Sequence, residues 1–269
     1  MGTERGDRGQ RPETSRLDHR LSLRVVRPQG SSNEALGYHV TVATTSSSGP
    51  ARSDVKVGRR RPTKGDRREQ AILDGAYELL RDTPLRTLSI DDLAKRAGLS
   101  RSSFYFYFES KWQVLFAMLG PITEDVFTAS RLIFERPVDM DPQEAIEQAS
   151  AEVVTVWHRH GHILREVGDA VGAEPDLRSQ WDSMLGQFIE AAAAAIERDR
   201  AAGAALDGPP PRALAAALMW MGERNLGLMS MRSGNAIPSE DAVDTIATVW
   251  LRTIFGVGTR AQQDGEIAT

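Results

Sequence analysis

Arg101, Ser102, Ser103 and Tyr105 fall within five consecutive positions, directly after Gly98-Leu99-Ser100. An arginine can pair its guanidinium with guanine, and a serine hydroxyl serves either a base edge or a phosphate. The chemistry this cluster suits is the reading of nucleic acid, not the making of bonds. Charge supports that choice. Residues 1–120 hold 21 Lys+Arg against 14 Asp+Glu, a net of +7, and residues 121–269 hold 12 against 23, a net of −11. A basic front joined to an acidic back points to a polyanionic partner for the front. The densest run spans Arg52 to Arg68, where Arg52, Lys56, Arg59, Arg60, Arg61, Lys64, Arg67 and Arg68 face only Asp54 and Asp66. Such a run, by itself, also suits a solvated linker.

Other chemistries find less support. His158 and His162 are four residues apart with His160 between them, but Gly161 interrupts the set and Glu166 is the nearby carboxylate. Solvated histidines around a helix break are expected there, and no metal site. The chain has no cysteine, which excludes a disulfide scaffold, a Cys-ligated zinc, an iron–sulfur cluster and a thiol nucleophile. Phosphate-cradling glycine loops and the Gly-x-Ser-x-Gly nucleophile elbow do not occur. Asp91-Asp92 suits stabilisation of a helix N-terminus better than acid–base work. We therefore expect no catalytic residue, no metal, no cofactor and no enzymatic activity. With neither a run of about 18 apolar residues nor a signal-peptide h-region, a cytoplasmic protein with no membrane partner is expected.

The elements that position the cluster are legible from periodicity. Residues 1–62 read as a disordered basic extension; Tyr38–Val42 is suited to an extended conformation, but an isolated strand has nothing to pair with. From Asp66 onward helix follows helix. Asp66 with Glu69 signals the first start, Ser89 with Asp92 the second, and Ser100 a third. Ser110 with Gln113 opens a long apolar segment through Phe134, and Asp141-Pro142 opens another. Further helices are expected at about 160–172, 175–201, 211–231 and 239–256, the last capped by Ser239. Nothing alternates convincingly with period two, so the fold class is all-α.

Within this series, Ile90, Leu93, Ala94 and Ala97 form one apolar face, Gly98 suits a left-handed turn, and a second short helix follows. That is the construction of a helix-turn-helix, whose second helix can lie in the major groove. Phe104 and Phe108 are expected to look inward. The helix N-termini at Ser89 and Ser100 would offer N–H groups to phosphates, with Tyr107 and Lys111 gripping the backbone on one flank.

The turn Ala97-Gly98-Leu99-Ser100, the aromatic run Tyr105-Phe106-Tyr107-Phe108 and Lys111 resemble the DNA-binding domain of TetR-family transcriptional regulators. Gly58-Arg59-Arg60-Arg61-Pro62, Asp91-Asp92-Leu93-Ala94-Lys95, Glu197-Arg198-Asp199-Arg200 and Met221-Gly222-Glu223-Arg224-Asn225-Leu226 extend the resemblance over about residues 57–257, to one branch of that family. It implies an N-terminal three-helix helix-turn-helix DNA-binding domain (63–110) and a C-terminal helical ligand-binding and dimerisation domain (111–257). The extension 1–62 and a flexible tail 258–269 flank them.

The implied partners are double-stranded operator DNA, a small hydrophobic effector and a second copy of the chain, with one dimer or more per operator. The implied DNA contacts are Arg59, Arg60, Arg61, Thr87, Ser89, Ser100, Arg101, Ser102, Ser103, Tyr105, Tyr107 and Lys111. Helical spacing alone makes Trp157, Trp181 and Trp250 core residues. The resemblance instead implies a tunnel lined by Ile146, Val153, Trp157, Trp181, Leu185, Phe188, Met219, Gly222 and Trp250. The similar branch carries ligand-bonding asparagines where this chain has Met219 and Gly222, so a more apolar ligand or other polar anchors, Asn225 and Ser183, are expected. Helices 211–231 and 239–256 either pair with a partner's or pack within the chain. A helical sequestering protein with a vestigial helix-turn-helix is the alternative function.

Overall fold

The computed structural model describes residues 20–26, 39–45 and 63–259. Its body is helical. α1 (Lys64–Leu79) opens at Thr63, whose hydroxyl accepts the Asp66 amide at 3.2 Å while the Asp66 carboxylate accepts the Thr63 N–H at 2.8 Å. Asp66 is thus the reciprocal partner of the cap and not the cap itself. A 3-10 turn, Leu85–Thr87, leads into α2 (Ile90–Arg96), closed by the same reciprocal pattern between Ser89 and Asp92. α3 (Arg101–Phe104) starts at Ser100, whose hydroxyl accepts the Ser103 amide. α4 (Lys111–Ala129) starts at Ser110, and α5 (Arg131–Phe134) follows at once.

The back half is built from α6 (Pro142–Val171), α7 (Pro175–Ala201), α8 (Pro211–Ser230) and α9 (Ala242–Ile254). α6 packs against α4, α8 and α9, and α7 lies along α8. A buried ion pair between Arg136 and Asp199, 3.1 Å, ties the segment after α5 to α7. One core runs unbroken from Ile72 to Ile254. Among the described residues no helix is long and apolar enough to cross a membrane.

Three expectations need correction. The extended segment near Tyr38–Val42 does have a partner: β1 (Arg20–Val26) and β2 (His39–Thr45) pair antiparallel, with Arg20 opposite Thr45 and Val26 opposite His39. A connection of a dozen residues carries no short-hairpin signal, so the pairing is not readable locally. The helices expected on either side of Gly161 are one continuous α6. A Cβ at Gly161 would sit 3.4 Å from the Ser230 hydroxyl, so this glycine marks the close crossing of α6 and α8, not a break. Ser239 does not cap α9, which begins after Asp241 without a side-chain cap.

Gly98 joins α2 to α3 at φ +68°, the left-handed region, with nothing within 4 Å of an added Cβ. Gly98→Ala therefore adds backbone strain without a clash. We expect it to cost about 1–2 kcal/mol of stability, the left-handed penalty of an L-residue. Chemical denaturation measures this, and an unchanged midpoint would show that the turn has a conformation other than the one described.

Candidate nucleic-acid interface and ligand cavity

The turn at Gly98 sets α3 across α2, and the buried Ala94 lets the two approach. Phe104 and Phe108 plug the core beneath, with ring centroids 6.0 Å apart. Because these two face inward, the residues between them must face elsewhere. Tyr105 is 45% exposed and Phe106 is 86% exposed, while Tyr107 is half-buried against the core. Sequence reasoning passed over Phe106, although the alternation Phe104-Tyr105-Phe106-Tyr107-Phe108 carried its signal.

Arg101 is exposed, with its guanidinium 3.6 Å from the Asp91 carboxylate, 3.5 Å from the Tyr105 hydroxyl and 6.0 Å from that ring's centre. The side chain is held in a defined pose on the outer face, where it can meet a base edge. Ser102 is exposed beside it. The Ser100 and Ser103 hydroxyls bond each other at 2.9 Å, so they serve first as the start of α3. Thr87 is exposed and donates its hydroxyl to the Pro84 carbonyl. Arg59, Arg60 and Arg61 lie outside the described residues.

Two expected phosphate contacts are corrected. Ser89 gives both its amide and its hydroxyl to the Asp92 carboxylate, at 2.9 and 2.6 Å. Those bonds hold the Asp92 carboxyl below the usual range. The start of α2 therefore already carries an anion and is not a free anion site. Lys111 does not reach outward: its Nζ donates to the carbonyls of Leu85, Arg86 and Leu88 at 2.8, 2.9 and 2.9 Å. An ammonium has three protons, and all three are engaged.

The same turn is held from its other pole. The Glu166 side chain, in a residue only 5% exposed, accepts the Leu85 amide at 2.8 Å. Glu166 belongs to α6, so the helix of the back half grips the connection that carries the reading head. Sequence reasoning noticed Glu166 only as a candidate metal ligand.

Behind this clamp lies an apolar cavity of about 100 Å³, walled by α4, α5, α6, α7, α8 and α9. An engineered apolar cavity of ~150 Å³ holds a benzene ring, so this one has room for a small apolar group as it stands. Val153, Trp157, Trp181, Leu185, Phe188, Met219, Gly222 and Trp250 all line it. Ile146 does not; it lines a smaller neighbouring space, with Ile133 and Trp250 forming part of both walls. The polar anchors differ from the expectation as well. Asn225 spends its amide on the Met221 carbonyl of its own helix, at 2.7 Å, and Ser183 is exposed. Thr123, Ser130, Ser150 and Glu223 are the polar residues that line the cavity.

The histidines sit where α1 meets α6. Tyr77 of α1 places its hydroxyl 3.3 Å from His160 Nδ1 and its ring 4.5 Å from that of His162. His160 and His162 are half-buried in the middle of a helix, not solvated at a break, whereas His158 is exposed as expected. Among the described residues no group of three His, Asp or Glu side chains is placed to hold a metal. Burial holds both histidines below their ordinary pKa; Asp125, 3.4 Å from His160, opposes this, and Arg159, Arg81 and Arg165 reinforce it.

The folded state thus keeps these rings neutral, while the unfolded chain protonates them near 6.5. Their contribution to stability is complete above that pH and declines as pH falls below it. We expect the denaturation midpoint to drop between pH 7.5 and pH 5.5, and the drop to shrink in a His160→Gln, His162→Gln double variant. An equal drop in both proteins would remove the histidines as its cause.

Comparison with known proteins agrees with this architecture. Residues 72–118 match the family of bacterial regulatory proteins of the tetR type, and residues 146–256 match the C-terminal domain of the transcriptional regulator EthR. The HTH-type transcriptional regulator EthR of Mycobacterium tuberculosis is 34% identical over 211 residues, covering 78% of this chain and 97% of that protein. Its counterpart in Mycolicibacterium smegmatis is 35% identical over 204 residues, covering 74% and 92%. Among solved structures, NalD of Pseudomonas aeruginosa, the secondary repressor of the MexAB-OprM multidrug efflux pump, shares the fold with a TM-score of 0.55 at 18% identity, covering 71% of this chain and 98% of its own. This chain belongs to the TetR family of transcriptional regulators, and its back half is a C-terminal domain of the EthR type.

Proposed function

We propose that the protein is a homodimeric repressor that binds operator DNA through α2 and α3 and releases it when a small hydrophobic molecule fills the cavity. One observation carries the reading: α6 lines the cavity from Ser150 to Leu164 and, two residues further on, holds the Leu85 amide through Glu166. A ligand that displaces α6 moves the turn, and with it α2 and α3. A ligand can shift this equilibrium only by its difference in affinity for the two states, so a 100-fold loss of DNA binding needs about 2.7 kcal/mol of coupling.

Dimerisation follows from the same reading. Trp220 on α8 and Val249 on α9 expose apolar surface on the two helices that the family resemblance pairs with a partner's. Two reading heads in one dimer would meet half-sites about 34 Å apart, or a multiple of that. Arg101, Ser102, Tyr105 and Phe106 then face the groove, and Arg59, Arg60 and Arg61 run along phosphates or into the minor groove. More than one dimer per operator is compatible with this geometry. The protein would work in the cytoplasm, on DNA.

Fluorescence anisotropy with the DNA upstream of the chain's own gene tests the repressor reading. Sequence-selective, salt-sensitive binding is expected; equal affinity for scrambled DNA would favour the sequestering protein. Arg101→Ala should cost about 1–3 kcal/mol on the operator and relax base preference. Lys111→Met should lower thermal stability and leave the salt slope of binding unchanged, because its ammonium holds carbonyls and not phosphates. A shallower slope would return Lys111 to the DNA.

The cavity has its own test. Trp181→Ala should leave operator affinity nearly unchanged while blunting release by an apolar effector. Full release by the variant would move the effector elsewhere.

A further inference from the structure

A second chamber adjoins the apolar cavity and shares Trp157, Leu164, Trp181 and Glu223 with it. The two differ in chemistry. Glu223 is the ionisable residue of the inner lining, whereas the outer chamber adds Arg178, Asp182 and Arg224. Glu223 stands at the threshold, and its carboxylate has no hydrogen bond or ion pair within the described residues. A carboxylate so placed is partly desolvated and has no protein partner, a state a bound cation relieves.

We propose that the effector is an amphiphile with a cationic amine head, its apolar part in the inner cavity and its ammonium against Glu223. The proposal rests on reading the inner cavity as the effector site. The inner lining sets few groups in competition with such a head. Met219 and Gly222, one turn or less away on α8, offer no polar side chain, and the Thr123 hydroxyl is turned to the Met184 sulfur at 2.7 Å. Trp157 and Trp181, which share both linings with Glu223, supply aromatic rings of the kind that attract a cation. Burial raises the Glu223 carboxyl above its ordinary pKa, and Arg224 opposes that rise without forming an ion pair with it. Arg178 and Arg224 give the outer chamber two positive charges against Asp182, whereas Glu223 is the ionisable residue that also lines the inner cavity, so a head seated at the threshold meets that carboxylate first.

Three probes of equal chain length separate the outcomes: n-octylamine, n-octanol and n-octanoate, titrated into the full chain at pH 7 with tryptophan emission as the readout. Trp157 and Trp181 report on both chambers. We expect octylamine to bind at least tenfold tighter than octanol, and Glu223→Gln to abolish that preference while leaving octanol affinity unchanged. Equal affinity for octylamine and octanol, tightest binding of octanoate, or an amine preference that survives Glu223→Gln each overturns the proposal and leaves the apolar site standing. If none of the three probes perturbs emission, the effector-site reading itself fails, and the proposal with it. The wild-type comparison decides the matter even if Glu223→Gln does not fold.

Discussion

The turn at Leu85–Leu88 is held at both poles by charge. Glu166 takes the amide of Leu85, and Lys111 takes three carbonyls of the same short segment. A carboxylate as buried as Glu166 needs its donors, since a buried charge stripped of partners is destabilising by several kcal/mol. α6 therefore cannot slide past the turn without breaking that bond and leaving Arg165, 3.8 Å away on the same helix, as the carboxylate's remaining partner. Either the turn travels with α6 or the bond breaks at high cost. The reading head and the cavity wall are joined by this bond and by the apolar core that runs between them, which transmits strain because it is close-packed.

The cavity follows from how the helices around it are filled. Trp157, Trp181 and Trp250 are less than a tenth exposed and yet line open space. Core and lining are not exclusive roles: the rings exclude solvent on one side and lack contact atoms on the other. Such a void forgoes dispersion contacts that an apolar guest restores, which makes the cavity a receptor by default. Met219 and Gly222 remove polar groups from its α8 wall. The ionisable groups are Glu223 and, beyond it, Arg178, Asp182 and Arg224.

Local chemistry was readable from the chain alone. The caps at Ser89, Ser100, Ser110 and Asp141, the left-handed Gly98, and the inward Phe104 and Phe108 all depend on neighbours within a turn or two, and the residue types announce them. The two-domain family resemblance rests on the same short-range motifs. Phe106 was legible in principle, because a five-residue aromatic run with both ends buried leaves its middle outside.

Tertiary structure decided the rest. Lys111 reads as a phosphate contact until its side chain is seen reaching back 26 residues to Leu85, and Glu166 acquires its partner 81 residues away. That Gly161 marks a close crossing and not a break is visible only against Ser230, a residue of another helix. The displacement of Ile146 from the main cavity and the place of Glu223 between two chambers depend on how six helices converge. Sequence thus determined the helical character of the chain, the helix starts at Ser89, Ser100, Ser110 and Asp141 and which faces are apolar, since those follow from hydrogen bonds and spacing over a few residues. Which charge meets which carbonyl, and which buried ring borders a void, were settled only when distant helices packed, because those interactions have no local counterpart in the chain.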